Sequence, residues 1–366
     1  MKKILFVLLI CALPFSSYAQ EIELLGDDIL SDTESTASQE TDKDDAGSIF
    51  GFITRPLSKL FSSKDTVTNS EGKEETYLQK ITREADEGNL EAQMNLGYMY
   101  LYGANDVKQN FSEAFKYYEM AAKQNDPIAL NNLGSLYFSG IGTNADIPSA
   151  ITLFEKAAEL GNDNASVNLA FIYLSGGKKD SQRNRKAFDF FQKAEKEGNK
   201  IARFMLGYAY YRGFMTEKDY RTAFNLIKSS AQQDSQIDEA QLVLAEMYRN
   251  GDGTVQNYQK AIKAYRAAIA QGNIDAIMTL ADIYETGTIS PLNLVTAHAL
   301  YNIAAANGVL GAAEKREELS SKLDLPTLEQ AQSIAQNYKA SPSELTSYIR
   351  QTYGTNIRHY IDSNMK

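Results

Sequence analysis

The chain has 366 residues, 43 % of them hydrophobic, which excludes a wholly disordered polymer and allows two ordinary domains or one elongated repeat array. Lys and Arg number 37 against 47 Asp and Glu, a net charge of -10, which argues against general nucleic-acid binding through phosphate neutralisation. One Cys and two His exclude an intramolecular disulfide framework and leave too few ligands for a Cys/His zinc site.

In chain order, Lys2 and Lys3 precede the apolar run Ile4–Leu13, followed by the small-residue site Ser17-Tyr18-Ala19. This order predicts a secretory signal peptide, residues 1–19, cleaved after Ala19. Cys11 lies inside it, so the mature chain is expected to contain no cysteine. No later apolar run approaches the length of about 20 residues that spans a bilayer. The mature protein is therefore expected in the periplasm, at the envelope or outside the cell.

Residues 20–76 are expected to form a disordered acidic arm and linker. Between Gln20 and Gly47 stand ten acids and one base, Lys43, a local charge of -9 with no aromatic residue. Such a segment cannot bury enough apolar surface to offset its ordering entropy. Within the arm, residues 48–61 form an apolar patch carrying Arg55 and Lys59. Two readings stay open for it: docking on the main domain, in the extreme as a plug of its binding groove, or peripheral contact with a membrane or partner.

From Tyr77 the chain repeats itself. Six copies of A-x3-L-[GA]-x2-Y-x2-G begin at Ala92, Ala129, Ala165, Ala202, Ala240 and Ala276. A near-fixed period of this length marks a solenoid. Ala, Leu and Tyr at i, i+4 and i+8 share one face of a first helix. The Gly three residues after Tyr is placed to end that helix in a left-handed conformation. Asn110, Asp146, Asp219, Asn257 and Asn293 then stand where an N-cap of a second helix belongs. Arg183 holds that place in the third repeat, so its cap must differ. The second helix carries Ala, a large residue at i+4 and a small one at i+7, such as Tyr118 with Ala121 and Phe154 with Ala157. Its tyrosines are expected to be half-buried, with hydroxyls reaching water.

This pattern resembles the Sel-one-like repeat family, relatives of the tetratricopeptide repeat, over about residues 77–338. The resemblance implies an all-α, right-handed α/α solenoid of about six helix-pair repeats with capping helices at both ends. It departs from the family in lacking Trp in the second helix and in keeping the second loop glycine only as Gly142 and Gly253. Residues 339–366 are expected to be a helical extension: a capping box at Ser341–Glu344 starts a helix that Gly354 stops, and the last dozen residues fray.

Catalytic signatures are weak. Ser70–Lys73 is a lone S-x-x-K without the companion motifs of β-lactam chemistry. His298 and His359 read as structural or solvated, and residues 250–254 as a repeat loop rather than a calcium loop. No catalytic residue, cofactor or metal is expected. By analogy with related arrays, the first helices line a concave groove. The residues two before, two after and five after the motif Leu face it. This places Met94, Tyr98, Leu101, Asn131, Phe138, Phe171, Leu174, Phe204, Tyr208 and Tyr211 in an apolar, aromatic groove, with charged positions in repeats five and six. The expected function is a non-enzymatic adaptor of the bacterial envelope that binds a segment of a partner protein, in the outer or inner membrane. The alternatives are a peptidoglycan- or β-lactam-directed enzyme or regulator, and a secreted host-interaction factor.

Overall fold

The computed structural model describes residues 66–68, 74–175, 180–232 and 236–365. The expected signal peptide, the expected acidic arm and the 48–61 patch lie outside the described residues. At the start, strands β1 (Thr66–Thr68) and β2 (Glu74–Thr76) pair antiparallel, Val67 opposite Glu75. The sequence had read here as a polar linker. The β-branched Thr-Val-Thr run suits a strand.

Seventeen helices follow among the described residues. Helix α1 (Tyr77–Asp86) starts at a capping box in which Thr76 and Gln79 exchange side-chain and backbone hydrogen bonds. It buries Tyr77, Ile81 and Ala85 and is the leading half-repeat. The repeats are the pairs α2 (Leu90–Tyr102) with α3 (Phe111–Ala122), α4 (Pro127–Ser139) with α5 (Ile147–Glu159), and α6 (Asp163–Ser175) with α7 (Ser181–Lys196). They continue as α8 (Lys200–Arg212) with α9 (Tyr220–Ser230), α10 (Asp238–Asn250) with α11 (Tyr258–Ala270), and α12 (Ile274–Thr286) with α13 (Leu294–Ala306). Then come α14 (Ala312–Ser320), α15 (Leu325–Asn337), α16 (Glu344–Tyr353) and α17 (His359–Met365).

The motif explains the pairs. Every second-helix alanine, from Ala114 to Ala297, is fully buried, as are the small residues seven positions on, from Ala121 to Ala304. Small side chains let the two helices approach, and the large residue between fills the remaining space. The approach is close enough that a methyl group on Gly97 would meet the Tyr118 ring at 2.9 Å, and one on Gly134 the Phe154 ring at 2.9 Å. Five first helices end as expected, on a left-handed Gly: Gly103, Gly140, Gly213, Gly251 and Gly287.

The loops close in a recurring way. In five repeats the backbone N–H of the capping residue donates to the carbonyl of the motif tyrosine, as Asn110 does to Tyr100 and Asn257 to Tyr248, both at 2.8 Å. The third repeat lacks that cap, and Arg183 takes its place. Its Nε donates to the Tyr173 carbonyl at 3.1 Å and its Nη2 to the Ile172 carbonyl at 3.0 Å. The substitution noted in the sequence is thus compensated by a side chain long enough to reach the orphaned carbonyls.

Among the described residues the chain divides into two compact units, with the main break between Asn199 and Lys200. The first holds the half-repeat and repeats one to three. Its core runs through Ala121, Ala150, Phe154, Ala157 and Leu169, with a second cluster of Ile81, Leu96, Met99 and Tyr117 at the front. The second unit holds repeats four to six and everything after them, with Ile201, Ile227, Tyr265 and Ala304 fully buried.

Three expectations are corrected. The second-helix tyrosines do not reach water: Tyr118, Tyr265 and Tyr301 are buried, the Tyr265 hydroxyl has no hydrogen-bond partner, and the Tyr301 hydroxyl donates to Glu285 at 2.7 Å. The last dozen residues do not fray. Gly354 ends α16, but the chain then turns and forms α17, with Ile357 and Ile361 fully buried. The cap of α16 is Ser343, whose hydroxyl accepts from the Thr346 N–H, two residues later than the sequence suggested.

Candidate functional site

The ten groove positions lie on the first helices, and the two units treat them differently. In the first unit Tyr98 and Leu101 on α2 and Asn131 and Phe138 on α4 stay half-buried. The Tyr98 ring lies 4.7 Å from that of Tyr102, and burial raises its hydroxyl pKa. The Asn131 side chain accepts from Asn168 Nδ2 at 3.0 Å, one repeat on, so this polar position is bridged along the array. Met94, Phe171 and Leu174 are instead buried, and Phe171 meets Phe191 edge-to-face at 5.4 Å. These three are packing residues.

In the second unit Phe204 and Tyr208 on α8 are buried, at 0 % and 2 % exposure, and Tyr211 is half-buried. The Tyr208 hydroxyl donates to the Asp362 carboxylate at 2.8 Å, and Arg212 bonds the same carboxylate at 2.6 Å. Asp362 belongs to α17. The segment that leaves α16 therefore returns to the first-helix face and covers it.

The return segment is held chiefly by acids of α10. Glu239 accepts from the Ile357 N–H at 2.6 Å, the Arg358 N–H at 3.2 Å and Arg358 Nε at 2.8 Å. Arg358 Nη2 reaches Asp275 on α12 at 3.0 Å, and its guanidinium lies 5.7 Å from the Tyr208 ring centre. Burial pushes the Glu239 carboxyl up to about 7 against the opposing pull of Arg358. Glu246 on α10 is raised for the same reason and is likewise drawn down by Arg358. The Arg358 guanidinium between Glu239 and Asp275 makes a charge-matched seat, whose Glu239 side is buried.

Helix α16 adds a second anchor. Arg350 Nη2 bonds Asp238 at 2.7 Å, and Asn273 Nδ2 bonds the same carboxylate at 2.9 Å. The start of α10 has Ile237 at its N-cap position and no side-chain cap of its own. Thr346 supplies one: its hydroxyl accepts from the Asp238 N–H at 3.2 Å. Ser341 N–H also donates to the Ala270 backbone carbonyl at 2.7 Å, and the Tyr338 hydroxyl to that of Ile269 at 2.7 Å.

The sequence reading missed Glu239, Arg358, Asp362 and Thr346. Asp238 and Glu239 stand in the first turn of α10, where the helix dipole favours acids whether or not they are buried. The signal that could have found the rest was in residues 357–362, where Ile357 and Ile361 stand one turn apart beside Arg358 and Asp362 at the same spacing. Among the described residues no cluster of three or more His, Cys, Asp or Glu is poised to hold a metal, and no helix is long and apolar enough to cross a membrane.

Comparison with known proteins bears on the repeats. The Sel1 repeat model matches six times, at residues 90–126, 127–162, 164–199, 200–235, 238–273 and 274–309. A solved Sel1 repeat protein from Oxalobacter formigenes is 30 % identical, with a TM-score of 0.55, covering 63 % of this chain and 93 % of that one. The ERAD-associated E3 ubiquitin-protein ligase component HRD3B of Arabidopsis thaliana is 25 % identical over 57 % of this chain and 52 % of its own length. Protein sel-1 homolog 2 of Homo sapiens is 36 % identical over 28 % of this chain and 15 % of its own. The chain thus spans about half or less of the length of these curated relatives. Sel1 repeats build scaffolds for protein interaction, and with six matched units in register the chain belongs to the Sel1 repeat family.

Proposed function

We propose that this protein is a non-enzymatic adaptor of the bacterial envelope, exported by its N-terminal signal, which binds segments of partner proteins on the first-helix faces of its repeats. The observation that carries this reading is the seat on repeats four to six. There a peptide segment is held by buried carboxylates, a tyrosine hydroxyl and backbone N–H groups on helices whose other faces form the core. A face that seats one segment by these means is a peptide-binding surface in its chemistry. The half-buried aromatic and apolar side chains Tyr98, Leu101 and Phe138 offer a comparable face on repeats one and two. That HRD3B is by name a component of a ligase supports a role within an assembly.

The test is photocrosslinking in intact cells. A photoreactive amino acid at Tyr98 or Phe138 is expected to give a discrete adduct with one envelope protein. That adduct should vanish when the neighbouring position carries Glu (Phe138→Glu or Tyr98→Glu). Absence of any adduct from both positions would sink the adaptor reading for this face. Turnover of cell-wall fragments by the purified protein would replace it with an enzymatic one.

A further inference from the structure

We propose that residues 354–365 are an exchangeable internal ligand of the first-helix face of repeats four to six. In their place the face takes a partner's amphipathic helix. That helix carries an apolar residue followed by Arg, then a second apolar residue followed by an acid one turn later. The proposal rests on the reading of first-helix faces as protein-binding surfaces and names the partner chemistry of one of them.

Charge complementarity carries the choice of occupant. The face collects Glu239, Glu246 and Asp275, and the incoming segment answers with Arg358 and two backbone N–H groups. Glu239 accepts three hydrogen bonds from the segment, one of them from the Arg358 guanidinium, which also reaches Asp275, so the seat suits a cation. On the other side Tyr208 and Arg212 both donate to one acid, Asp362. The polarity of the pair, Arg first and acid four residues later, fixes the direction in which a helix can lie. Ile357 and Ile361 are both fully buried and supply the apolar contact.

Exchange follows from how little else holds the segment. Helix α17 has seven residues, far below the length of about 12–15 at which an isolated helix persists in water. Its order comes from the face it covers. The link to α16 is Gly354 and Thr355, both exposed, with Gly354 at a positive φ of 94° that serves as a hinge. A tethered ligand of this kind competes through its effective concentration, in the millimolar range for a short link. A partner segment of matching chemistry needs only to exceed that.

The experiment uses a fluorescein-labelled peptide of residues 354–365, GTNIRHYIDSNM, titrated into the full chain. The unaltered chain is expected to bind it weakly, because its own segment fills the seat. The full-chain variant Ile361→Asp, which loosens that segment and leaves the receptor face intact, is expected to bind at least about tenfold more tightly. A peptide carrying the Arg358→Glu change is expected to lose at least about tenfold of that affinity. Equal binding by both chains, or none by a variant with native circular dichroism, overturns the proposal. Should Ile361→Asp fail to fold, hydrogen exchange on the unaltered chain decides. Amides of 354–365 are expected to exchange well before those of α8 and α10, and exchange only together with them makes the segment a fixed part of the unit. A concentration-dependent dimer in sedimentation would make a second copy the occupant and overturn the partner assignment. None of these outcomes touches the crosslinks from Tyr98 and Phe138, so the two readings fail separately.

Discussion

The same helical face is finished in two ways within one chain. On repeats one and two, Tyr98, Leu101, Asn131 and Phe138 remain half-buried, and Asn131 is bonded by Asn168. On repeat four, Tyr208, the equivalent of Tyr98, is buried and bonds Asp362, from a segment more than a hundred residues later. The repeat motif is alike in both, so the difference lies in residues that the motif leaves free. Asp238, Glu239 and Asp275 in the second unit create a place that a basic, amphipathic segment completes. A repeat therefore fixes the scaffold, and its unconstrained first-turn residues decide what the scaffold carries.

The sharpest way to break the comparison is Arg358→Ala. It leaves Glu239 buried beside Asp238 with its guanidinium partner gone. Removing one member of a buried ion pair costs about 3–5 kcal/mol, with detachment of the return segment setting the upper limit. Denaturant unfolding followed by hydrogen exchange should show that loss in α8, α10 and α12 and leave α2 to α6 unchanged. An equal loss in both sets of helices would mean that the units do not differ as described.

A control that should strike both units alike is Gly142→Ala and Gly253→Ala. Both glycines have positive φ, 72° and 71°. A methyl group would lie 2.2 Å from the Phe111 carbonyl oxygen in the first unit and 1.9 Å from the Tyr220 carbonyl oxygen in the second. Each loop presses on the start of the preceding repeat's second helix, so backbone must shift. The expected cost is about 3 kcal/mol at each site by thermal unfolding. Near-neutral values would show that these two loops, where the family's second glycine survives, are not inter-repeat contacts.

The sequence was legible wherever the repeat speaks. Six helix pairs, their left-handed glycines and five of the second-helix caps followed from A-x3-L-[GA]-x2-Y-x2-G and the Asn or Asp that comes after it. It was silent where an interaction spans the chain. Nothing local to Asp238-Glu239 says that these acids are buried, since burial comes from Ile357 to Asp362. Arg183 could be flagged as a missing cap but not as its own remedy, because the reach of its guanidinium to Tyr173 depends on the loop geometry. Fraying after Gly354 was inferred from a stop signal that is real, while the amphipathic spacing beyond it went unread. Tyr265 failed in the opposite way: tyrosine suits a wet boundary, but the i+4 position of a second helix is interior whatever occupies it.

A third difference should appear with pH. Burial holds the folded pKa of Glu239 above the usual carboxylate value, at about 7. The folded state therefore binds a proton that the unfolded state has released between about pH 4.5 and 7, and the contribution to stability falls as pH rises through that window. Glu246 shifts in the same direction. From pH 5 to pH 8 the second unit should weaken by about 2 kcal/mol relative to the first. Glu239→Gln should flatten most of that slope. A slope that survives the substitution in full would move the titration to another group.

The smallest effect separates local from distant capping. In the first unit each described first-helix start is capped by its own neighbour: Asn89 accepts from Ala92 and Asp126 from Ala129. In repeat five Ile237 has no such oxygen, and Thr346 provides it from α16. Thr346→Val keeps the shape and removes the hydroxyl, which also donates to Gln271 at 2.7 Å. The cost should be about 1 kcal/mol, close to that of Asn89→Ala at a local cap. The two losses should differ in kind. Asn89→Ala should leave residues 354–365 as protected from exchange as before, because its hydrogen bond closes within α2. Thr346→Val should raise the exchange of α16 and of the α10 N-terminus together, because one hydroxyl serves both. If only α10 responds, the cap is a passenger of a segment held by Arg350 and Arg358, and the start of repeat five does not depend on the return of the chain.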